Sequence, residues 1–205
     1  METSHQTTSS IIKNSWSNSI PYLQYRALVE SHVHNNSNTG SEVTQDLAAY
    51  TALNHQRMRR LDKTLKLSPD AQEFLKGFNK HVAFVTITES WCGDAAQTLP
   101  MVEKLSQAAG IEHRLVLRDE NEALMNLFLT NGNKSIAKVI MIDPATYEPI
   151  ADWGPRPSLA AAIVAQEKED KGVLTAQFKQ ELQGWYNKDK GKNTLEDFIA
   201  LLKEI

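Results

Sequence analysis

Residues 82–95 read Val82-Ala83-Phe84-Val85-Thr86-Ile87-Thr88-Glu89-Ser90-Trp91-Cys92-Gly93-Asp94-Ala95, and a change of period inside this stretch decides the fold. The first seven residues are apolar or β-branched with no polar alternation, the pattern of a strand covered on both faces as in parallel sheets. Past Cys92 the period becomes helical. Ala95, Leu99, Val102, Leu105 and Ala109 fall on one stripe, and Gly110 supplies the stop. Cys92, the one cysteine of the chain, therefore stands where a strand hands over to a helix N-terminus.

Downstream, residues 113–117 alternate as a second strand. Asp119 is predicted to cap the next helix, with Glu122 as its capping-box partner. Asn131-Gly132 ends that helix, residues 137–142 form a third strand, and Asp143-Pro144 turns into a fourth over 148–153. Pro157 opens a helix to about residue 171. Two more follow over 174–186 and 194–204, the last capped by Asn193 or Thr194. Upstream, residues 1–14 are rich in Ser, Thr and Asn and are expected to fray. Ser19-Ile20-Pro21 is expected to start a helix, residues 32–40 a loop, and residues 43–65 one long helix. Ser68-Pro69 reads as N-cap and first residue of a helix running to about residue 80. Strand-helix-strand-helix followed by a strand pair predicts an α/β sandwich with a central mixed sheet. Extra helices lie at both ends: an N-terminal extension over 1–67, a central domain over 68–172 and a C-terminal helical extension over 173–205.

Bulk properties narrow the function. A chain of 205 residues, 41% hydrophobic, suffices for one sizeable core. A net charge of −3 predicts no general attraction to nucleic acid or to an anionic membrane surface. No apolar run approaches the ~20 residues of a membrane helix, and Met1–Ser10 lacks the basic-then-apolar order of a signal peptide. A lone cysteine cannot form an internal disulfide and suits a reducing compartment, so a cytoplasmic protein is expected. His32 and His34 have no companion at zinc-ligand spacing, so neither a metal nor a cofactor is expected.

Several segments together resemble the thioredoxin superfamily. The resemblance covers about residues 68–170. It rests on the β-branched strand before Trp91-Cys92-Gly93 and on Pro100 at the kink-proline position of the active-site helix. Leu117-Arg118-Asp119-Glu120-Asn121 resembles the family's next strand end and the turn after it, and Ser135-Ile136-Ala137-Lys138-Val139 the segment that usually holds a cis-proline before the third strand. Glu89 to Ala95, Leu117-Arg118-Asp119 and Trp153-Gly154-Pro155-Arg156-Pro157 look more narrowly like a bacterial thioredoxin-like subfamily in which Trp-Cys-Gly-Asp replaces Trp-Cys-Gly-Pro. The resemblance implies a thioredoxin-like sandwich with Cys92 as nucleophile. Trp91, Gly93, Asp94, Ala95, Arg118, Asp119, Ile136, Ala137 and Arg156 would line its site. Three positions depart from the pattern. Ala95 replaces the resolving cysteine, and Thr86 stands where an aspartate is often buried. Ala137 replaces the cis-proline. A non-proline cis bond costs ~3 kcal/mol more than trans, so this peptide is expected trans.

At a helix N-terminus, free amides and the dipole favour the Cys92 thiolate by about 0.3–1 and at most ~2 kcal/mol. A carboxylate on Asp94, ~6 Å from the sulfur, opposes this by on the order of 2–3 kcal/mol. Near-cancellation predicts a thiol of ordinary pKa unless Arg118 or Lys134 comes close. With no second thiol, the available redox chemistry is monothiol. Each remaining residue also has a plainer role. Asp94 favours the helix dipole, Asp119 caps, and Arg156 forms a salt bridge rather than holding a ligand carboxylate. Arg57, Arg59, Arg60, Lys63 and Lys66 form a solvated basic face.

Three functions compete. The first is a monothiol thiol-disulfide oxidoreductase acting through Cys92. Its partner would be a low-molecular-weight thiol or a thiol/disulfide protein. The second is a single-cysteine redox sensor. The third is a catalytically silent module that binds a partner at the crevice near Ala137. The placement of Cys92 puts the first slightly ahead.

Overall fold

The computed structural model describes residues 7–205. Its sheet has five strands: β1 (Ile20–Pro21), β2 (Ala83–Thr88), β3 (Glu112–Leu117), β4 (Lys138–Ile142) and β5 (Pro149–Trp153). They lie in the order β1-β3-β2-β4-β5. β2 and β3 run parallel, and every other neighbouring pair is antiparallel. The helices are α1 (Thr8–Ser17), α2 (Tyr22–His34), α3 (Gln45–Thr64), α4 (Pro69–Gly77), α5 (Gly93–Ala109), α6 (Glu122–Leu127), α7 (Ser158–Lys171), α8 (Ala176–Asp189) and α9 (Lys192–Glu204).

Period-two alternation divides β2 and β4 between two cores. Ala83, Val85, Ile87, Ile140 and Ile142 pack with α1, α2 and α6, whereas Phe84, Val139 and Met141 pack with α4 and α9. Helix α5 contributes to both, through Leu99 to the first and through Val102 and Leu105 to the second. Each such fully buried side chain contributes about 1.5–3 kcal/mol by leaving water. Both central strands are covered on both faces, as the unbroken apolar runs require. A third, separate cluster joins Ala160 and Val164 of α7 to Phe178, Leu182 and Tyr186 of α8.

Register positions the site. β2 and β3 are parallel with Thr88 opposite Leu117, so Arg118 emerges beside Glu89, and the Arg118 amide donates to the Thr88 carbonyl at 3.0 Å. β4 runs antiparallel with Lys138 opposite Ile87, which delivers Ile136 and Ala137 to the same end of β2. Trp153 pairs with Val139, so the turn from Gly154 to Arg156 follows beside Ala137.

Four local expectations change. Residues 8–17 are helical rather than frayed: the Thr7 hydroxyl caps the Ser10 amide and Ile12 is buried. Residues 1–6 of the expected frayed segment lie outside the described residues. Ile20 and Pro21 form an edge strand against β3, and the helix begins at Tyr22. Asp119 does not cap α6. Asn121 occupies that place without a side-chain cap bond, because the Asp119 carboxylate is engaged by Ser41 and Arg118. α9 starts after Gly191, at φ 75°, rather than at a polar cap. Asn193 turns inward instead, and its Oδ1 accepts the Leu159 amide at 2.8 Å.

Candidate functional site

Cys92 N-caps α5. Its Sγ accepts the Ala95 amide at 3.4 Å and donates to the Ile136 carbonyl at 3.2 Å. The side chain is buried. Burial first, and the Asp94 carboxylate second, push the Cys92 thiol up to about 12; the Ala95 and Asp94 amides and Arg156 act more weakly the other way. The near-ordinary thiol expected from dipole and Asp94 alone is thereby corrected. Desolvation disfavours the charged form, and the α5 dipole does not offset it.

The Ile136–Ala137 peptide is cis, against the trans expectation. The intrinsic preference belongs to an isolated peptide, whereas here the backbone lies against backbone. A Cβ on Gly154, at φ 118°, would come within 2.2 Å of the Ala137 carbonyl oxygen. Only glycine leaves room for that approach. At the position where the resemblance expects a buried acid, Thr86 Oγ1 meets His113 Nε2 at 2.9 Å, and His113 Nδ1 meets Glu103 Oε2 at 2.9 Å.

Asp94 does more than favour the dipole. Its Oδ2 pairs with Arg156 Nη2 at 2.7 Å and its Oδ1 accepts the Tyr186 hydroxyl at 2.9 Å. Burial raises the Asp94 carboxyl, with Arg156 and Tyr186 opposing. Burial likewise raises the Tyr186 phenol, with Asp94 adding to the shift. Gln183 of α8 accepts from Gln97 of α5 at 2.9 Å, so α8 closes over the first turns of α5.

From the other chain end, residues 38–41 clasp the segment before Cys92. Thr39 Oγ1 donates to Glu89 at 2.5 Å and accepts the Ser90 amide at 2.8 Å; the Thr39 amide donates to Ser90 Oγ at 3.0 Å. Trp91 Nε1 donates to the Thr39 carbonyl at 3.1 Å. Thr51 and Asn54 of α3 hold Ser90 from behind. Glu89 is fully buried and raised by that burial; its other oxygen accepts the Asp119 amide at 3.0 Å. Asp119 is lowered, first by the hydrogen bond from Arg118. The Arg118 guanidinium stacks 4.9 Å from the Trp91 ring.

These surfaces enclose a cleft of about 770 Å³. Trp91, Cys92, Gly93 and Asp94 line it together with Arg118, Ile136 and Arg156. Asp119 supports its rim, while Ala95 and Ala137 lie buried beneath it. α3 adds Tyr50, Leu53 and Arg57, and α8 adds Phe178, Leu182 and Gln183. Among the described residues no three His, Cys, Asp or Glu side chains gather to hold a metal, and no helix is long and apolar enough to cross a membrane.

A family model described as thioredoxin matches residues 40–169. The chain belongs to this thioredoxin family. The match begins at Gly40, inside the clasp, and ends in α7. A structure of a protein of unknown function from Pseudomonas aeruginosa is similar to the chain at 16% identity and a TM-score of 0.58, over 77% of this chain and 90% of that one. An HIV epitope-scaffold structure is similar at 15% identity and a TM-score of 0.58, over 77% and 92%. Both show the fold. No curated protein matches.

Several site residues of this thioredoxin-family chain escape a sequence reading. Thr39 and Tyr186 carry no motif, and Glu89 and Ser90, though inside the motif segment, show their partners only in the fold, since the contacts span long separations in the chain. Arg57 reads as one of a run of helix-surface cations, yet it lines the cleft and donates to Asn54 Oδ1 at 3.0 Å. Its position four residues after Leu53 and seven after Tyr50 was the available signal, because that spacing sets all three on one helix face.

Proposed function

We propose that this protein is a thioredoxin-fold binding module whose single cysteine is kept as a thiol and does not turn over. The observation that carries the reading is the Cys92 sulfur, buried, donating to the Ile136 carbonyl at 3.2 Å, with its pKa pushed up to about 12. At pH 7 a thiol held that far above its ordinary range stays protonated, and the thiolate is the nucleophile. Asp94 is turned to structural use by Arg156 and Tyr186, and Ala95 offers no second sulfur. In this reading the Trp91-Cys92-Gly93-Asp94 segment marks a bacterial thioredoxin-like subfamily in which Asp94 anchors α8. The cytoplasm is its proposed location, on the strength of one unpaired cysteine.

The rival reading is a monothiol oxidoreductase with an external thiol as resolver. It draws support from Cys92 lining the cleft. Alkylation by iodoacetamide across pH, followed by intact mass, separates the two. A binding module gives slow modification below pH 9, an inflection near 12, and no adduct with oxidised glutathione. An apparent pKa below about 9, with a glutathione adduct that added thiol clears rapidly, establishes the oxidoreductase instead. A persistent adduct with altered oligomeric state establishes a redox sensor.

A further inference from the structure

Five cationic side chains line the cleft, Arg57, Arg118, Lys134, Arg156 and Lys179, against one carboxylate, Asp94. Three of the five are paired: Arg118 with Asp119 at 2.8 Å, Arg156 with Asp94 at 2.7 Å, and Lys134 with Glu122. Among the described residues no carboxylate lies within ion-pair distance of Arg57 or Lys179. Arg57 is the informative one. Burial lowers its pKa, first among the causes, and of its five N–H donors one bonds Asn54. Gly93 lies beside it, so that a Cβ there would sit 3.6 Å from Arg57 Nη1. A partly desolvated guanidinium with no carboxylate in contact, steadied only at longer range by Asp94, is costly, and an anion in the cleft would offset that cost.

The walls define the rest of the ligand. Tyr50 and Leu53 are 52% and 46% exposed and face the cleft with Trp91, Leu174, Phe178 and Leu182. Apolar walls around a few polar groups, at this volume, match a small-molecule site. We propose that the cleft binds a small organic anion, a carboxylate or phosphate head on a non-polar body, with the head on Arg57 and the body against the α3 and α8 walls. The proposal rests on the binding-module reading and names its ligand class.

The test is calorimetric titration of the full-length protein with octanoate, octyl phosphate and octanol. Octanoate or octyl phosphate should bind, with octanol weaker by about tenfold or more, the discrimination expected of charge-assisted hydrogen bonds. A preference between the two anions identifies the head. Arg57→Met should weaken the anions about tenfold and leave octanol unchanged. If that variant fails to fold, the salt dependence of the wild-type protein decides. Anion affinity should fall several-fold between 50 and 500 mM salt while octanol affinity holds. Equal binding of octanol, no binding of either anion at millimolar concentration, or salt-independent affinity overturns the proposal. None of these results depends on Cys92, so a reactive thiol would overturn the binding-module reading separately.

Discussion

Two regions close on the segment around Cys92, the clasp on residues 89–91 and α8 on the first turns of α5, and they hold it differently. The clasp at residues 38–41 is continuous with the main core. Asn38 and Thr39 are buried, α2 places Tyr22, Tyr25 and Val29 in the first core, and α3 adds Met58. Its hydrogen bonds to residues 89–91 are made where water is excluded, so each unmade bond would leave a buried polar group orphaned. Helix α8 instead carries its apolar residues in a cluster shared only with α7 and its flanks. It reaches the rest of the molecule through Tyr186 to Asp94, Gln183 to Gln97, and Asn187 to Arg60 at 2.7 Å. α9, still later in the chain, returns to the second core through Leu195, Phe198 and Leu202. Distance along the chain from the sheet therefore says little about how firmly a segment is held. What matters is which core receives its apolar face.

Three substitutions break or sharpen this contrast. The largest effect is expected from Thr39→Val. It leaves the Ser90 amide and a Glu89 oxygen without partners and should cost about 2–4 kcal/mol in denaturant unfolding. A loss under about 0.5 kcal/mol would show the clasp to be passive. Gly40→Ala comes next, at about 1–3 kcal/mol. Gly40 sits at φ 101°, and a Cβ there would lie 2.9 Å from Asp119 Oδ2. An unchanged midpoint would mean that the loop can shift off Asp119. Tyr186→Phe should be mildest, at about 1 kcal/mol, and local. Amide exchange in α8 should accelerate about fivefold, with the global unfolding free energy lowered by no more than the same amount and α8 remaining less protected than β2. Equal protection of α8 and β2 would show that α8 and the sheet open as one unit.

The strand-to-helix switch at residues 82–95, the Ser68 cap of α4 and the Gly110 stop of α5 were legible because each is a local pattern with a local cause. The register that gathers Arg118, Ile136 and Arg156 around Cys92 follows from the same mixed-sheet topology. Asp119 misled because a carboxylate near a helix start can cap it or do something else. Ser41, 78 positions earlier in the chain, claims it. Arg57 misled for a related reason: one helix face looks solvated until another helix covers it.

The sequence by itself determined the strand, the helix that follows, and the presence of a single thiol at their junction, and hence that no internal disulfide can form. Tertiary structure alone decided what that thiol is. Ionisation depends on the sum of solvent excluded and charges gathered around the sulfur. Here that sum is assembled from α5, the Ile136–Ala137 turn, Arg156 and α8, segments that no local pattern relates.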